Sequence, residues 1–283
     1  MGEASSARIS PVLRVGIMVA LLSLLLLATG CSILPESPSA STGTSAPPYA
    51  TTTKATTTST APTTSTSVAT TTSTTISLPD DGKELVVLPT EEKVIALTFD
   101  AAYDPEPLPG ILAALKEAGA KGTFFLTGEF VRDFPDSVKA IKAAGHAIGN
   151  HSYSHPDFLT VSDDEIRSQL RRTADALTAL GIADPRPLFR FPYGSRNAAA
   201  LRLVAGEGYL SYFWTIDTLD WKEDRTPEQV RETVLNKLRP GAIVLMHVGS
   251  RQTESVLPQL LKDLAEREYR TVGLREALAA YGL

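Results

Sequence analysis

Cysteine is nearly absent: Cys31 is the one thiol in 283 residues, so no intramolecular disulfide can form. Excess positive charge is missing as well. Lys and Arg total 27 against 32 Asp and Glu, a net charge of −5, which leaves no basic footprint for nucleic acid. Histidine is scarce, with four residues, so a close pair of them carries weight. A membrane-length apolar run is also lacking. The run VGIMVALLSLLLLA, after Arg8 and Arg14, falls short of the roughly 20 residues that span a bilayer comfortably.

That run fits the apolar core of a signal peptide instead. Ala28-Thr29-Gly30-Cys31 follows it and resembles a bacterial lipobox, although Ala28 stands where Leu is usual. The reading is a lipoprotein-type signal peptide over 1–30, cleaved before Cys31, with lipid on the Cys31 thiol as a membrane anchor. An uncleaved anchor helix and plain secretion are the alternatives. Each of the three places the remaining chain outside the cytoplasm. Residues 31–85 are mostly Ser, Thr, Pro and Ala, as in TTTKATTTSTAPTTSTS. Such a segment has too little apolar surface to offset chain entropy, so it reads as a disordered linker. Its composition also suits O-glycosylation. At roughly 3.3–3.6 Å per extended residue it can reach well into a cell wall.

Residues 91–283 have ordinary globular composition and a length that suits one domain, expected to act as a monomer. Short apolar runs alternate with helical patterns. The candidate strands fall at 94–100, 122–128, 146–151, 187–192, 209–217, 241–248 and 269–274. Helical patterns such as SDDEIRSQLRRTADALTALG lie between them. Ser162 three residues before Glu165 has capping-box spacing, and Thr226-Pro227 reads as an N-cap followed by Pro at the first helical position. Gly119, Gly145 and Gly181 fall where helices should stop. The alternation implies an α/β fold, a distorted (β/α) barrel of about seven parallel strands. An open doubly wound sheet is the competing architecture.

In parallel α/β folds the C-terminal ends of the strands carry the site. Asp100, His151, Arg190, Asp217 and His247 all fall at or near such ends. His151 and His155, in HSYSH, are spaced to share one metal ion if the segment turns helically. Taken singly, each residue has a plainer reading. Asp100 could be a helix N-cap, Arg190 a surface cation at a rigid Pro-Tyr-Gly turn, Trp221 a packing residue and His247 a satisfied core histidine. Taken together they fit hydrolysis. Arg190 can keep Asp100 ionised as a general base, and a carboxylate such as Asp217 can raise the pKa of His247 for general-acid work.

Five segments in this order, TFD at 98–100, HSYSH at 151–155, RFPYG at 190–194, DTLDW at 217–221 and LMH at 245–247, resemble the polysaccharide deacetylases. These are also called carbohydrate esterase family 4 or the NodB-homology domain. The resemblance covers nearly all of 94–275. It implies Asp100 as base, oriented by Arg190, and His151 and His155 as ligands of a divalent metal, usually zinc and sometimes cobalt. It implies a Tyr193 backbone N–H for the oxyanion, Asp220 and Trp221 as groove lining, and His247 as acid, tuned by Asp217. The substrate implied is an N-acetylated polysaccharide, with peptidoglycan the best fit to a wall-facing tether.

One position departs from the family pattern. The usual second Asp of the first motif, a metal ligand, is Ala101 here, so two His remain with no matched carboxylate unless Asp104 reaches in from its loop. A weakened glycan-binding protein that keeps the groove is therefore the alternative function. A glycosidase using Asp100 and Asp217 as its carboxylate pair is a third, and it leaves the two His unexplained.

Overall fold

The computed structural model describes residues 82–282. Cys31, the signal segment and the linker up to residue 81 lie outside the described residues. Among those described, no helix is long and apolar enough to cross a membrane.

Among the described residues the scaffold is one nine-stranded sheet, curled into part of a barrel and flanked by helices. Its centre is β2 (Val94–Ala101), eight buried residues hydrogen-bonded to both β3 (Gly122–Leu126) and β8 (Ala242–His247). From β3 the sheet runs through β4 (Ala147–Asn150), β5 (Leu188–Phe189) and β6 (Leu210–Tyr212) to β1 (Glu84–Leu85). From β8 it runs to β7 (Ile216–Asp217), and β9 (Arg270–Thr271) adds to the start of β2. All the ladders are parallel, so the strands share one C-terminal rim.

Strand alternation divides the core into two layers. On β2, Ile95, Leu97, Phe99 and Ala101 pack outward in a cluster with Leu115 of α1 (Leu108–Glu117) and Leu257 of α7 (Arg251–Glu266). The alternate residues Val94 and Ala96 pack in a second cluster with Phe125 and Ile243. Thr98 and Asp100 continue that second row toward the rim. The row therefore changes from apolar at the base to polar at the top.

Helix ends follow local chemistry. Ser162 accepts the Glu165 N–H at the start of α4 (Asp163–Ala179). Thr226 and Gln229 form a reciprocal capping box on α6 (Pro227–Asn236). Gly119, Gly145 and Gly181 sit at φ 63, 73 and 69° just past their helices, where a side chain would be strained.

Two features differ from the sequence reading. The single strand expected over 209–217 is two strands, because the Arg190 side chain draws on the break between them. Its Nε donates to the Tyr212 carbonyl at 3.0 Å and its Nη2 to the Phe213 carbonyl at 3.1 Å. The folded chain also begins earlier than residue 91. Glu84–Leu85, assigned to the linker, pairs with Ser211 and Tyr212, and Val87 bridges Ala242 on the far side of the break.

Candidate active site

The rim of the sheet gathers the residues singled out above around a cleft of about 810 Å³. Asp100, His151, His155, Tyr193, Asp217, Asp220, Trp221 and His247 all line it. A second cleft, about 530 Å³ between α1 and α7, contains none of them. In register, Asp100 stands directly opposite His247 across the β2–β8 ladder.

Asp100 is anchored from below. Arg190 Nη1 donates to Asp100 Oδ1 at 2.8 Å and to Thr98 Oγ1 at 2.8 Å, and Thr98 in turn donates to the Val244 carbonyl. Arg190 is fully buried, its guanidinium 4.4 Å from the Phe125 ring centre. Burial opposes ionisation of Asp100. The charge of Arg190, with its hydrogen bond and the charge of His247, outweighs it and holds the carboxyl below the usual carboxylate range. Arg190 occupies Oδ1, while Oδ2 lies 3.5 Å from His151 Nε2.

The HSYSH segment is not a helical turn. It is a loop with Ser152 at φ 67° and His155 at φ 58°, left-handed conformations that need outside support. Gln169 of α4 supplies much of it, accepting the N–H groups of Tyr153 at 2.7 Å and Ser154 at 2.8 Å. Asn150 accepts the Ser152 N–H, and Ser152 Oγ accepts that of His155. The result brings the two imidazoles together, Nε2 to Nε2, at 3.2 Å.

That spacing fits a shared divalent cation, since two ligands at about 2.0–2.1 Å on a tetrahedron stand roughly 3.3 Å apart. The Arg190 carbonyl, 2.9 Å from His151 Nδ1, accepts the proton there and leaves the Nε2 lone pair free. Burial lowers both histidines, His155 to about 3, which favours the neutral imidazole that ligation requires. His155 Nδ1 is buried without a partner. A third ligand is missing: among the described residues no three His, Cys, Asp or Glu side chains are arranged as a metal site. Ala101 belongs to the outward core cluster. Asp104 is turned to its own loop, where Oδ1 accepts the Glu106 N–H, and it packs against Gly249.

On the opposite side of the cleft Asp217 raises the His247 pKa by its charge alone, while another carboxylate makes the hydrogen bond. His247 is bonded to Asp220, not to Asp217. Its Nδ1 lies 2.7 Å from Asp220 Oδ1, and its N–H reaches Asp220 Oδ2 at 2.9 Å. Asp217 pairs in register with Leu245, two residues short of His247, and its Oδ1 accepts the Leu219 N–H. Leu219, at φ 57°, is the bend before Asp220. Asp220 borders the cleft but is buried, and Thr253 also donates to it, at 2.6 Å. Burial disfavours the charged imidazole, yet the Asp220 hydrogen bond and charge outweigh it, so the His247 pKa is raised. Replacing Asp220 by Asn removes that support. With His247 in the acid role that the resemblance implies, the alkaline limb of kcat/KM then moves to lower pH. A limb that stays in place in a pH–rate series on this variant would rule out the pairing as the tuning element.

Tyr193 and Trp221 are the exposed aromatics of the rim, at 69% and 58%, with Tyr103 alongside at 69%. The Tyr193 ring centre lies 4.4 Å from that of His155, and Tyr193 holds φ 57° at the head of its turn. Thr98, Gln169 and Thr253 were missed as site residues by the sequence reading. None is a reactive type, and Thr253 meets Asp220 across 33 positions of sequence.

The comparisons with known proteins bear on this geometry directly. Residues 88–211 match the family model described as polysaccharide deacetylase. The peptidoglycan-N-acetylmuramic acid deacetylase PdaA of Bacillus subtilis is 33% identical over 203 residues, 68% of this chain and 77% of that one. The chain belongs to the polysaccharide deacetylase family, hydrolases of carbon–nitrogen amide bonds. The solved structure of PdaA, a family 4 carbohydrate esterase, superposes with a TM-score of 0.66 at 31% identity, covering 70% of this chain and 86% of that one. A peptidoglycan-N-acetylglucosamine deacetylase of Bacillus cereus is 38% identical over 159 residues, 56% of this chain and 57% of the relative. A family 4 pseudoenzyme from Bacillus anthracis has a TM-score of 0.63 and 35% identity, over 66% of each chain.

Proposed function

We propose that this polysaccharide deacetylase removes N-acetyl groups from peptidoglycan in a zinc-dependent hydrolysis, on a domain tethered to the membrane through lipid on Cys31. The observation that carries the chemistry is the facing of two tuned pairs across one cleft. Asp100 is held ionised by Arg190 at 2.8 Å, and His247 is held protonated by Asp220 at 2.7 Å.

His151 and His155 are the residues that would hold zinc, which supplies a Lewis acid for the acetamide carbonyl. The chain's own groups account for the rest. Asp100 Oδ2 takes a proton from water as the water oxygen adds to the carbonyl carbon. The Tyr193 backbone N–H, aimed by its strained turn, donates to the oxyanion. His247 has Nδ1 committed to Asp220, so Nε2 is the nitrogen that protonates the leaving amine as the C–N bond breaks. The products are acetate and a free amino sugar. Trp221, Tyr193 and Tyr103 offer ring faces on which sugar units can lie.

The deciding experiment is acetate release from peptidoglycan and from N-acetylglucosamine oligomers, read with mass loss of one acetyl group per site. Activity should appear with zinc and disappear after dialysis against chelator, because two protein ligands hold the ion less firmly than three. Products shortened by glycosidic cleavage would overturn the reading. Ala101 favours one second reading, a glycan-binding protein without efficient chemistry. It predicts retained glycan binding with no acetate under any divalent metal.

A further inference from the structure

The segment that joins the tether to the domain reaches the cleft through one chain of contacts. Glu84 forms a fork with Arg196: Nε donates to Oε1 at 2.6 Å and Nη2 to Oε2 at 2.8 Å. Ser211 Oγ adds a third bond to Glu84 at 3.2 Å. The guanidinium lies 3.5 Å over the Phe213 ring, and its Nη1 donates to the Gly194 carbonyl at 2.9 Å. Phe213 is stacked on Trp214 at 3.8 Å and 17°. Trp214 lines the cleft. Gly194 fits because it has no side chain: a Cβ would stand 2.6 Å from Trp214 and 2.8 Å from Phe213.

The backbone of the same segment is fastened to the same wall. Phe213 N–H donates to the Leu85 carbonyl at 2.9 Å, and Thr215 Oγ1 to the Val86 carbonyl at 2.5 Å. Both the Tyr193–Gly194 turn and the Phe213–Trp214 break are therefore held by residues 84–86.

We propose that Glu84 is a positioning residue for the deacetylase site, acting through Arg196 on the Tyr193–Gly194 turn and on Trp214. It rests on the function given above. Glu84 and Arg196 are partly exposed, at 14% and 25%, so the partner left by either substitution keeps contact with water instead of becoming a buried unpaired charge. Their loss leaves the fold standing while the turn loses its brace, and sub-ångström misplacement of a reacting group is costly in rate.

The test uses the full chain with Glu84→Ala, Arg196→Ala and the double variant, assayed per folded molecule. The expected result is a fall in kcat of ~10-fold with KM nearly unchanged, since the effect is one of alignment. The double variant falls no further than the worse single one, because both break the same chain of contacts. Arg196→Lys, which keeps the charge without the fork, should recover little. A readout independent of turnover is Trp214 fluorescence in a Trp221→Phe background, which should shift and become easier to quench in Glu84→Ala. Wild-type kcat in well-folded single variants overturns the proposal. A wild-type chain that releases no acetate counts against the function instead. The brace is then judged by Trp214 emission alone, where a shift supports it and an unmoved band overturns it.

Discussion

Asp100→Asn is expected to abolish deacetylation while leaving zinc uptake intact, with kcat falling by roughly 10³-fold or more. The substitution keeps the shape of the side chain and an oxygen that can still accept from Arg190 Nη1. It removes the carboxylate to which the proposal gives the base role. Arg190 keeps its bonds to the Tyr212 and Phe213 carbonyls and to Thr98, so the guanidinium is not left without acceptors. The fold should therefore survive with a lowered Tm. His151 and His155 are untouched, and zinc binding by calorimetry should remain near the wild-type value. Turnover within tenfold of wild type would show that another group is the base.

Arg190→Leu should be strongly destabilising. Removing one partner of a buried ion pair costs about 3–5 kcal/mol, because the survivor is left charged and unsolvated. Here the survivor is Asp100, 7% exposed. Two main-chain carbonyls, of Tyr212 and Phe213, lose their donor in the same step. For a domain of this size the loss corresponds to a fall in Tm of roughly 10 °C. Arg190→Lys should recover only part of it, since one ammonium cannot span four acceptors in different directions. Thermal melts of the three proteins check the order wild type, Lys, Leu. A Leu variant melting with the wild type would mean that the pair is not buried in solution.

The sequence exposes those parts of the site that depend on strand ends. Asp100, His151, Arg190 and His247 could be placed on one rim because each closes or follows an apolar run, and parallel strands end together. What depends on bends was hidden. Asp217 and Asp220 are three residues apart, and only the φ of 57° at Leu219 decides which of them lies under His247. HSYSH has helical spacing, yet Ser152 and His155 adopt left-handed conformations because Gln169, from the following helix, captures the intervening N–H groups. The strand at Glu84–Leu85 is two residues long, and its partners lie 127 positions away, so no local pattern marks it.

The direct opposition of Asp100 and His247 on adjacent strands has a consequence for how such a fold can diversify. Neighbouring strands keep a separation of about 4.8 Å. Proton donor and proton acceptor are thereby spaced by the main chain of the sheet. Loops around the rim can then lengthen, shorten or exchange residues to suit new glycans, while the distance between the two groups that move protons stays inherited unchanged.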